Sequence, residues 1–500
     1  MSEGTAPVDR PNNAGRFILP LYVALSVLLC VPFVSPTYPL FGDYPNHLAR
    51  SYIVMHYAQV PLFQAAYWRD HAPIYNLAID IVVPPLAQVI GLAAAGRCFL
   101  VLIIAAYAAG CYLLASAIHG GRTWLAFVPL MFAYNSLLIG GYVNYYCGIA
   151  MYLIAFACWL RWNRAWTPAR ALAFACLTVA CYFSHPTSIG CLGISAACVS
   201  AYQYFTRRVP LRGMWITGLC FLPTAALYLV YASGSAQKTE TSIEWNTVKG
   251  KLIELLVVIR TYDVRTDIAL LACTAACLAF LILKSRGAFV SAPILICGAA
   301  LMLAYVASPW AMLTGSGADA RFVWPGFVLI VLAFRPRIRP GYGAMCLTCF
   351  LLIFLVRAGI LWSYWHGLDI KMSRIVRVFD QLPPEQTIYP AHFQGPGVKR
   401  TKLDEAMASA ICDAVVSRNA YVPTTLAIRG QQPIIDRNMI AFRSWKPGAV
   451  APWDGYDYVW TYNPPAELVE TLSRTAIPIA GADESTLWSL KGSRPRLVAQ

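Results

Sequence analysis

Asp43 stands where a carboxylate can do chemistry. It lies in the run Tyr38-Pro39-Leu40-Phe41-Gly42-Asp43-Tyr44-Pro45-Asn46-His47-Leu48-Ala49-Arg50, in a turn framed by Gly42 and Pro45. A carboxylate there can act as a general base toward a hydroxyl or amine, or as a metal ligand. It can equally cap the helix that begins near Tyr44. His47 and Arg50 follow four and seven positions later, on one face if the segment is helical. That face would carry a carboxylate, an imidazole and a guanidinium together.

Other polar residues gather between apolar segments. Asn135 precedes Gly140-Gly141-Tyr142-Val143-Asn144-Tyr145-Tyr146, a polar but uncharged stretch that holds Asn144. His185 occupies the tight turn Ser184-His185-Pro186-Thr187, as a functional imidazole or as an interfacial histidine satisfied by water. Asp319 and Arg321 end the stretch from Gly315 to Phe322, at the mouth of a helix. The planar fork of Arg321 suits bidentate phosphate binding, and a basic residue at a helix end can also simply snorkel. Asp267 and Arg357 lie in or beside apolar segments. Ionisable residues at such depth face the protein interior and find partners, but spacing alone does not pair these two. The 16 cysteines fall almost entirely inside apolar runs, Cys412 excepted. They show no paired spacing of the metal or disulfide kind and read as core cysteines.

The elements that must position these groups are membrane helices. The chain has 500 residues, 58% hydrophobic and 13% charged, with mean hydropathy +0.55. Soluble proteins carry about 25% charged residues, so a soluble globular reading is excluded. Apolar segments of helical length run at 17–34, 98–118, 124–139, 147–160, 171–184, 188–205, 213–232, 267–283, 288–307, 322–334 and 341–361. About 20 apolar residues make one crossing. The first run continues without a small-residue cleavage site, so it reads as a span and not a signal peptide.

Charge sets the expected topology. The loops at 119–123, 161–170, 206–212, 284–287 and 335–340 hold twelve basic residues and no acid, whereas the intervening loops hold nine basic and eight acidic residues. Basic loops stay cytoplasmic. The segment 74–95 is apolar but carries Asp80 and Pro84-Pro85, poor choices for a lipid-facing helix. Treating it as re-entrant or interfacial puts the tail 1–16, with Arg10 and Arg16, on the same side as the five basic loops. The expectation is eleven spans over 17–362, a first outer loop over 35–97, a cytoplasmic N-terminus and an outer C-terminus. Most of the net charge of +15 is then spread over cytoplasmic loops, which leaves no concentrated basic face for nucleic acid.

Residues 363–500 hold fifteen basic and thirteen acidic residues and no apolar run of spanning length. Strand-like pieces at Thr387–Tyr389, Tyr456–Thr461 and Thr486–Leu490 alternate with helical stretches at 369–381, 402–417 and 465–474. This predicts a small outer α/β domain. The fold expected is thus a polytopic α-helical membrane protein of about eleven transmembrane helices, with a long first outer loop.

These features resemble the GT-C superfamily of integral-membrane glycosyltransferases, which includes protein mannosyltransferases and aminoarabinose transferases. The resemblance rests on the acid just after span one, the long first outer loop with its Pro-rich segment, Arg321-Phe322 opening a late span, and the C-terminal outer domain. It implies a sugar donor carried on a polyprenyl phosphate, with Asp43 as the first-loop acid and Arg321 as a donor-phosphate ligand. His47, Arg50, Asn144, His185 and Asp319 join the expected substrate-binding set. The chain departs from the family pattern at Asp43, which is followed by Tyr44 and Pro45 and not by a second acid. The second loop offers only Asn135 and Asn144 where many members carry another acid. A divalent metal therefore lacks its usual acid pair, no other cofactor is called for, and acceptor activation by Asp43 alone is the simpler reading.

The expected partners are membrane lipids, the lipid-linked donor and a lipid, glycan or protein acceptor. The expected location is the bacterial inner membrane. Two rivals are a transporter or flippase of lipid-linked envelope precursors and a non-catalytic membrane scaffold. Transporters tend to show internal repeats and helices broken near the midplane, whereas the polar residues here concentrate in the outer loops.

Overall fold

The computed structural model describes residues 13–34, 36–39, 41–206, 211–234, 243–257, 259–285, 287–312, 315–392, 406–425, 427, 429–440, 445 and 451–490. The tail residues 1–12 lie outside them, as do Arg207, Arg208 and Arg286 of the basic loops and residues 402–405 of a predicted helix.

The chain is a multi-pass helical membrane protein. Its helices are α1 (Asn13–Val34), α2 (Tyr44–His56), α3 (Pro61–Ala66), α4 (Ala78–Ile90), α5 (Leu92–His119), α6 (Phe127–Met131), α7 (Ser136–Ile139), α8 (Val143–Trp162) and α9 (Pro168–Ser184). There follow α10 (Pro186–Phe205), α11 (Leu211–Gly234), α12 (Val248–Val257), α13 (Val264–Leu283), α14 (Ala292–Ala307), α15 (Ala320–Ala333), α16 (Pro340–Val376), α17 (Cys412–Arg418) and α18 (Ala466–Thr475). Among the described residues six helical stretches are long and apolar enough to cross a membrane: Phe17–Val34, Leu92–His119, Val143–Trp162, Leu211–Ser233, Val264–Leu283 and Gly341–Gln381. Five shorter apolar stretches accompany them, at Ala78–Ile90, Trp124–Ile139, Pro168–Ser184, Ala292–Ala307 and Ala320–Ala333.

Two element boundaries differ from the sequence expectation. Helix α5 starts at Leu92, because Gly91 adopts φ +82° and breaks the chain there. Helix α16 does not stop at 361 but continues to Val376, so the last apolar run and the polar helix after it are one element.

The expected span at 124–139 is not one helix. It consists of a 3-10 turn at Trp124–Ala126, α6 and α7, with a break at 132–135. Pro129 supplies no N–H to the helix ladder, and Asn135 Oδ1 accepts from Leu137 N at 3.1 Å, a local bond that competes with helix. Irregular backbone at membrane depth is tolerated where protein buries it and satisfies its polar groups. Here Tyr107 donates to Pro129 O at 3.0 Å, Tyr146 to Ala133 O, and Arg357 Nη2 to Tyr134 O at 2.9 Å.

The chain forms two compact units. One comprises 1–32, 101–137 and 144–361, and the other 33–100, 138–143 and 362–500. The first is a helix bundle in which α14 packs on α15 and on α10, and α9 on α11. In the second, a four-stranded sheet has the order β6-β8-β10-β9 if the strands Tyr67–Arg69, Ala288–Val290, Ala311–Met312, Gly315–Ser316 and Phe334–Pro336 are β1 to β5. Then β6 is Ile388–His392, β7 Ile434–Asp436, β8 Tyr458–Tyr462, β9 Ala476–Ala482 and β10 Ser485–Leu490. Strand β6 runs parallel to β8, and the other two pairings are antiparallel. Trp460 of β8 is fully buried, its Nε1 donating to Ser485 Oγ in β10 at 2.7 Å.

The first loop folds together with the C-terminal segment. Strand β1 pairs antiparallel with β7, α17 packs on α2, and Tyr52 donates to Asn419 Oδ1 at 2.9 Å. Asp369 accepts from Tyr38 N at 2.7 Å. A loop of some sixty residues leaves many backbone groups to satisfy, and the C-terminal segment satisfies part of them.

Candidate functional site

Asp43 sits at the N-cap of α2, yet its side chain makes no cap hydrogen bond. The helix starts anyway, because Pro45 in its first turn needs no N–H partner and fixes a helical φ. The turn is held from outside. Gly42 N donates to Ile139 O at 2.9 Å and Asp43 N to Gly140 O at 3.1 Å, while Ser409 Oγ donates to Gly42 O at 2.6 Å. Gly141 makes this approach possible. It adopts φ +85°, and a Cβ there would lie 2.2 Å from Asp43 N. The glycine pair of the second loop is therefore the cradle of the Asp43 backbone.

Two turns on from Asp43, Arg50 is wholly buried and turned toward α4. Its Nε and Nη2 each lie 2.7 Å from the two oxygens of Asp80, a bidentate pair, and Nη2 also donates to His47 Nδ1 at 2.8 Å. Burial, and then the Arg50 charge, hold the His47 imidazole well below its ordinary pKa, so it is neutral and keeps its proton on Nε2. The Arg50 Nη1 atom is buried with no hydrogen-bond partner among the described residues. Asp43, His47, Arg50 and Asp80 all belong to the unit that contains the C-terminal segment.

His185, Asp319, Arg321 and Asn144 belong to the helix bundle. His185 caps α10, its Nδ1 accepting from Thr187 N at 3.1 Å. The Thr187 amide and a guanidinium are both fixed donors and a neutral imidazole has one acceptor nitrogen, so the ring accepts from one of its two neighbours at a time. Nε2 in turn faces Arg321 Nη1 at 3.3 Å. Burial first, and then Arg321, push the His185 pKa far down, so the ring is neutral beside the Arg321 guanidinium. A guanidinium held in this way is suited to an anionic oxygen. Tyr145 supports it: its ring meets His185 edge-on at 5.4 Å and its hydroxyl donates to Arg321 O at 2.8 Å. Asn144, its chain neighbour, is buried in the first turn of α8.

Asp319 has a different task. It is fully buried, caps α15 by accepting from Ala320 N at 2.9 Å, and pairs with Lys251 Nζ at 3.0 Å. Glu254 lies one turn along α12 from Lys251 and accepts from Asn246 Nδ2 at 3.4 Å. Burial and the Asp319 carboxylate push its pKa up to about 7, with Asn246 and Lys251 pulling the other way.

The structure thus joins His47 to Arg50, and His185 to Arg321, and it gives Arg50 and Asp319 the partners Asp80 and Lys251. Sequence reading passed over Gly141, Tyr145, Lys251, Glu254 and Ser409 as site residues. The signal for Gly141 was present in the Gly140-Gly141 pair, whereas nothing local marks Lys251 among the lysines of its loop. Among the described residues no group of three or more His, Cys, Asp or Glu side chains is gathered to hold a metal ion. No protein-family model and no curated protein matches the chain.

Proposed function

We propose that the protein is a membrane glycosyltransferase of the GT-C kind, moving a sugar from a polyprenyl-phosphate carrier to an envelope acceptor on the outer face of the bacterial inner membrane. In this reading the chain crosses the bilayer eleven times, with its N-terminus inside and residues 363–500 outside. The observation that carries it is Asp43, fixed by backbone bonds to the second loop at a helix start where its carboxylate does not serve as the cap. Asp43 takes the proton of the acceptor hydroxyl, whose oxygen attacks the anomeric carbon as the bond to the lipid phosphate breaks. The leaving phosphate gains negative charge, and the guanidinium of Arg321, with His185 beside it, is suited to receive it. Inversion follows from a single displacement.

Asp43→Asn keeps the size of the side chain and removes its basicity. General base catalysis contributes about 10²–10⁴-fold, so transfer of labelled sugar from the lipid carrier in membranes should fall by that order at unchanged protein level. Transfer at the parental rate would end this assignment.

A further inference from the structure

Helix α12 is amphipathic in an unusual place. Its inward side carries Lys251, which donates to Tyr305 O and Ser308 O at 2.9 Å each and to Asp319 at 3.0 Å. Tyr305 O and Ser308 O are carbonyls at the C-terminal end of α14, where Tyr305 O also accepts from Ser308 N at 3.3 Å, and a cation is favoured there. Tyr305 closes the joint by donating to Lys251 O at 2.5 Å. The segment before α12 is tied to the same end of the bundle, with Glu244 bridging to Ala311 and its carbonyl accepting from Trp310 N at 2.8 Å. Helix α12 is therefore seated across the exit of α14 and the entry of α15.

That seat fixes its depth. Helix α14 has 16 residues, about 24 Å at 1.5 Å per residue, against a hydrocarbon core of about 30 Å. Its end is thus at or just within the edge of the acyl region, and so is whatever packs over it. The outward side of α12 is mostly apolar: Val248, Leu252, Ile253 and Leu256 are exposed, as is Trp245 just before them, and exposed Lys249 beside them can lay its stem on lipid and keep its head in water. Val248, Leu252 and Leu256 recur every four residues and form one stripe. The stripe lies in the chain between α11 and α13, whose exposed Leu219, Leu229, Ile268 and Ile282 face outward from apolar spans.

We propose that α12 is an interfacial helix whose outward stripe docks on lipid, at the boundary of headgroups and acyl chains. Amphipathic helices of this kind bury their apolar face about 5–10 Å into that boundary, and tryptophan is enriched at the same level. Because Lys251 on the inward side holds Asp319, the cap of α15, the bilayer becomes part of what positions the start of that helix and hence Arg321. The inference rests on the reading of α14 as a span, which belongs to the proposed function, and stands apart from the reaction proposed there.

The test places a photoreactive benzoylphenylalanine at position 252, or at 256 in a second variant, and at exposed Glu470 on α18 as control. Each full-length protein is reconstituted in vesicles of phosphatidylethanolamine and phosphatidylglycerol, irradiated and analysed by mass spectrometry for lipid adducts. Adducts at 252 and 256 at least tenfold above those at 470 are expected. Cross-links from 252 and 256 to a second copy of the chain, or lipid adducts no more frequent than at 470, would overturn the proposal. Either of the two positions suffices if the other variant does not fold.

Discussion

Arg357 and Asp267 meet: Arg357 Nη1 lies 2.7 Å from Asp267 Oδ1, and both side chains are buried. Nη2 donates to backbone, to Tyr134 O at 2.9 Å and to Ile259 O at 2.7 Å, while Nε is buried with no partner among the described residues. Asp267 also accepts from Thr261 N and Thr261 Oγ1. One ion pair thus closes the broken segment at 132–135, the chain before α13 and the middle of α16.

Removing one partner of a buried pair leaves an uncompensated charge, a loss of about 3–5 kcal/mol. Arg357→Met should therefore lower the thermal unfolding midpoint of the detergent-purified protein sharply. Arg357→Met combined with Asp267→Leu should recover part of the loss, since two apolar side chains leave no bare charge. A single variant that melts with the parent would show that the pair does not hold these segments together.

Gly141→Ala alters no ionisable group, yet it should impair transfer. Its φ of +85° disfavours any side chain, and the new Cβ would press on Asp43 N and Tyr44 N. Backbone atoms cannot swing aside, so the Asp43 turn must shift, at a stability loss of more than about 1 kcal/mol. Gly121→Ala, in open space and without a positive φ, is the matched control and should keep parental activity and stability.

His185 holds a helix cap with Nδ1 and presents Nε2 toward Arg321, and one substitution separates these roles. Asparagine is a good cap and can still accept from Thr187 N, but it has no counterpart of the Nε2 atom that meets Arg321. His185→Asn should fold normally and raise KM for the lipid-linked donor while leaving KM for the acceptor alone. Arg321→Lys should act in the same direction, because a lysine cannot reproduce the planar fork. If His185→Asn matches the parent in both constants, the histidine is a cap and nothing more.

Glu254 predicts a pH dependence of stability. Its folded pKa of about 7 lies above the ordinary glutamate value of 4.5, so between these values the folded state holds the proton more tightly than the unfolded chain. Stability then falls as pH rises from about 4.5 through 7. The groups that face Glu254 are Asp319, Lys251, Asn246 and Tyr305. Glu254→Gln imitates the protonated form, so it should match the parent at pH 5 and melt at a higher temperature at pH 8. Equal melting at both pH values would mean that Glu254 stays charged without penalty.

The amino-acid sequence by itself determined the local elements. Runs of apolar residues gave the bundle helices, alternation in 387–389, 456–461 and 486–490 marked three of the four strands of the sheet, and Pro45 with Asp43 marked the start of α2 at Tyr44. Such features depend on neighbours within a few residues and are written in periodicity. Only the tertiary structure decided the partnerships. Arg357 lies 90 positions from Asp267, Arg321 lies 136 from His185, and Lys251 lies 68 from Asp319. Spacing carries no trace of these pairs, because a buried charge needs a partner but does not specify which element brings it. The break at 132–135 was hidden for the same reason: its composition is as apolar as a helix, and the break survives because distant Tyr107, Tyr146 and Arg357 satisfy the backbone it frees.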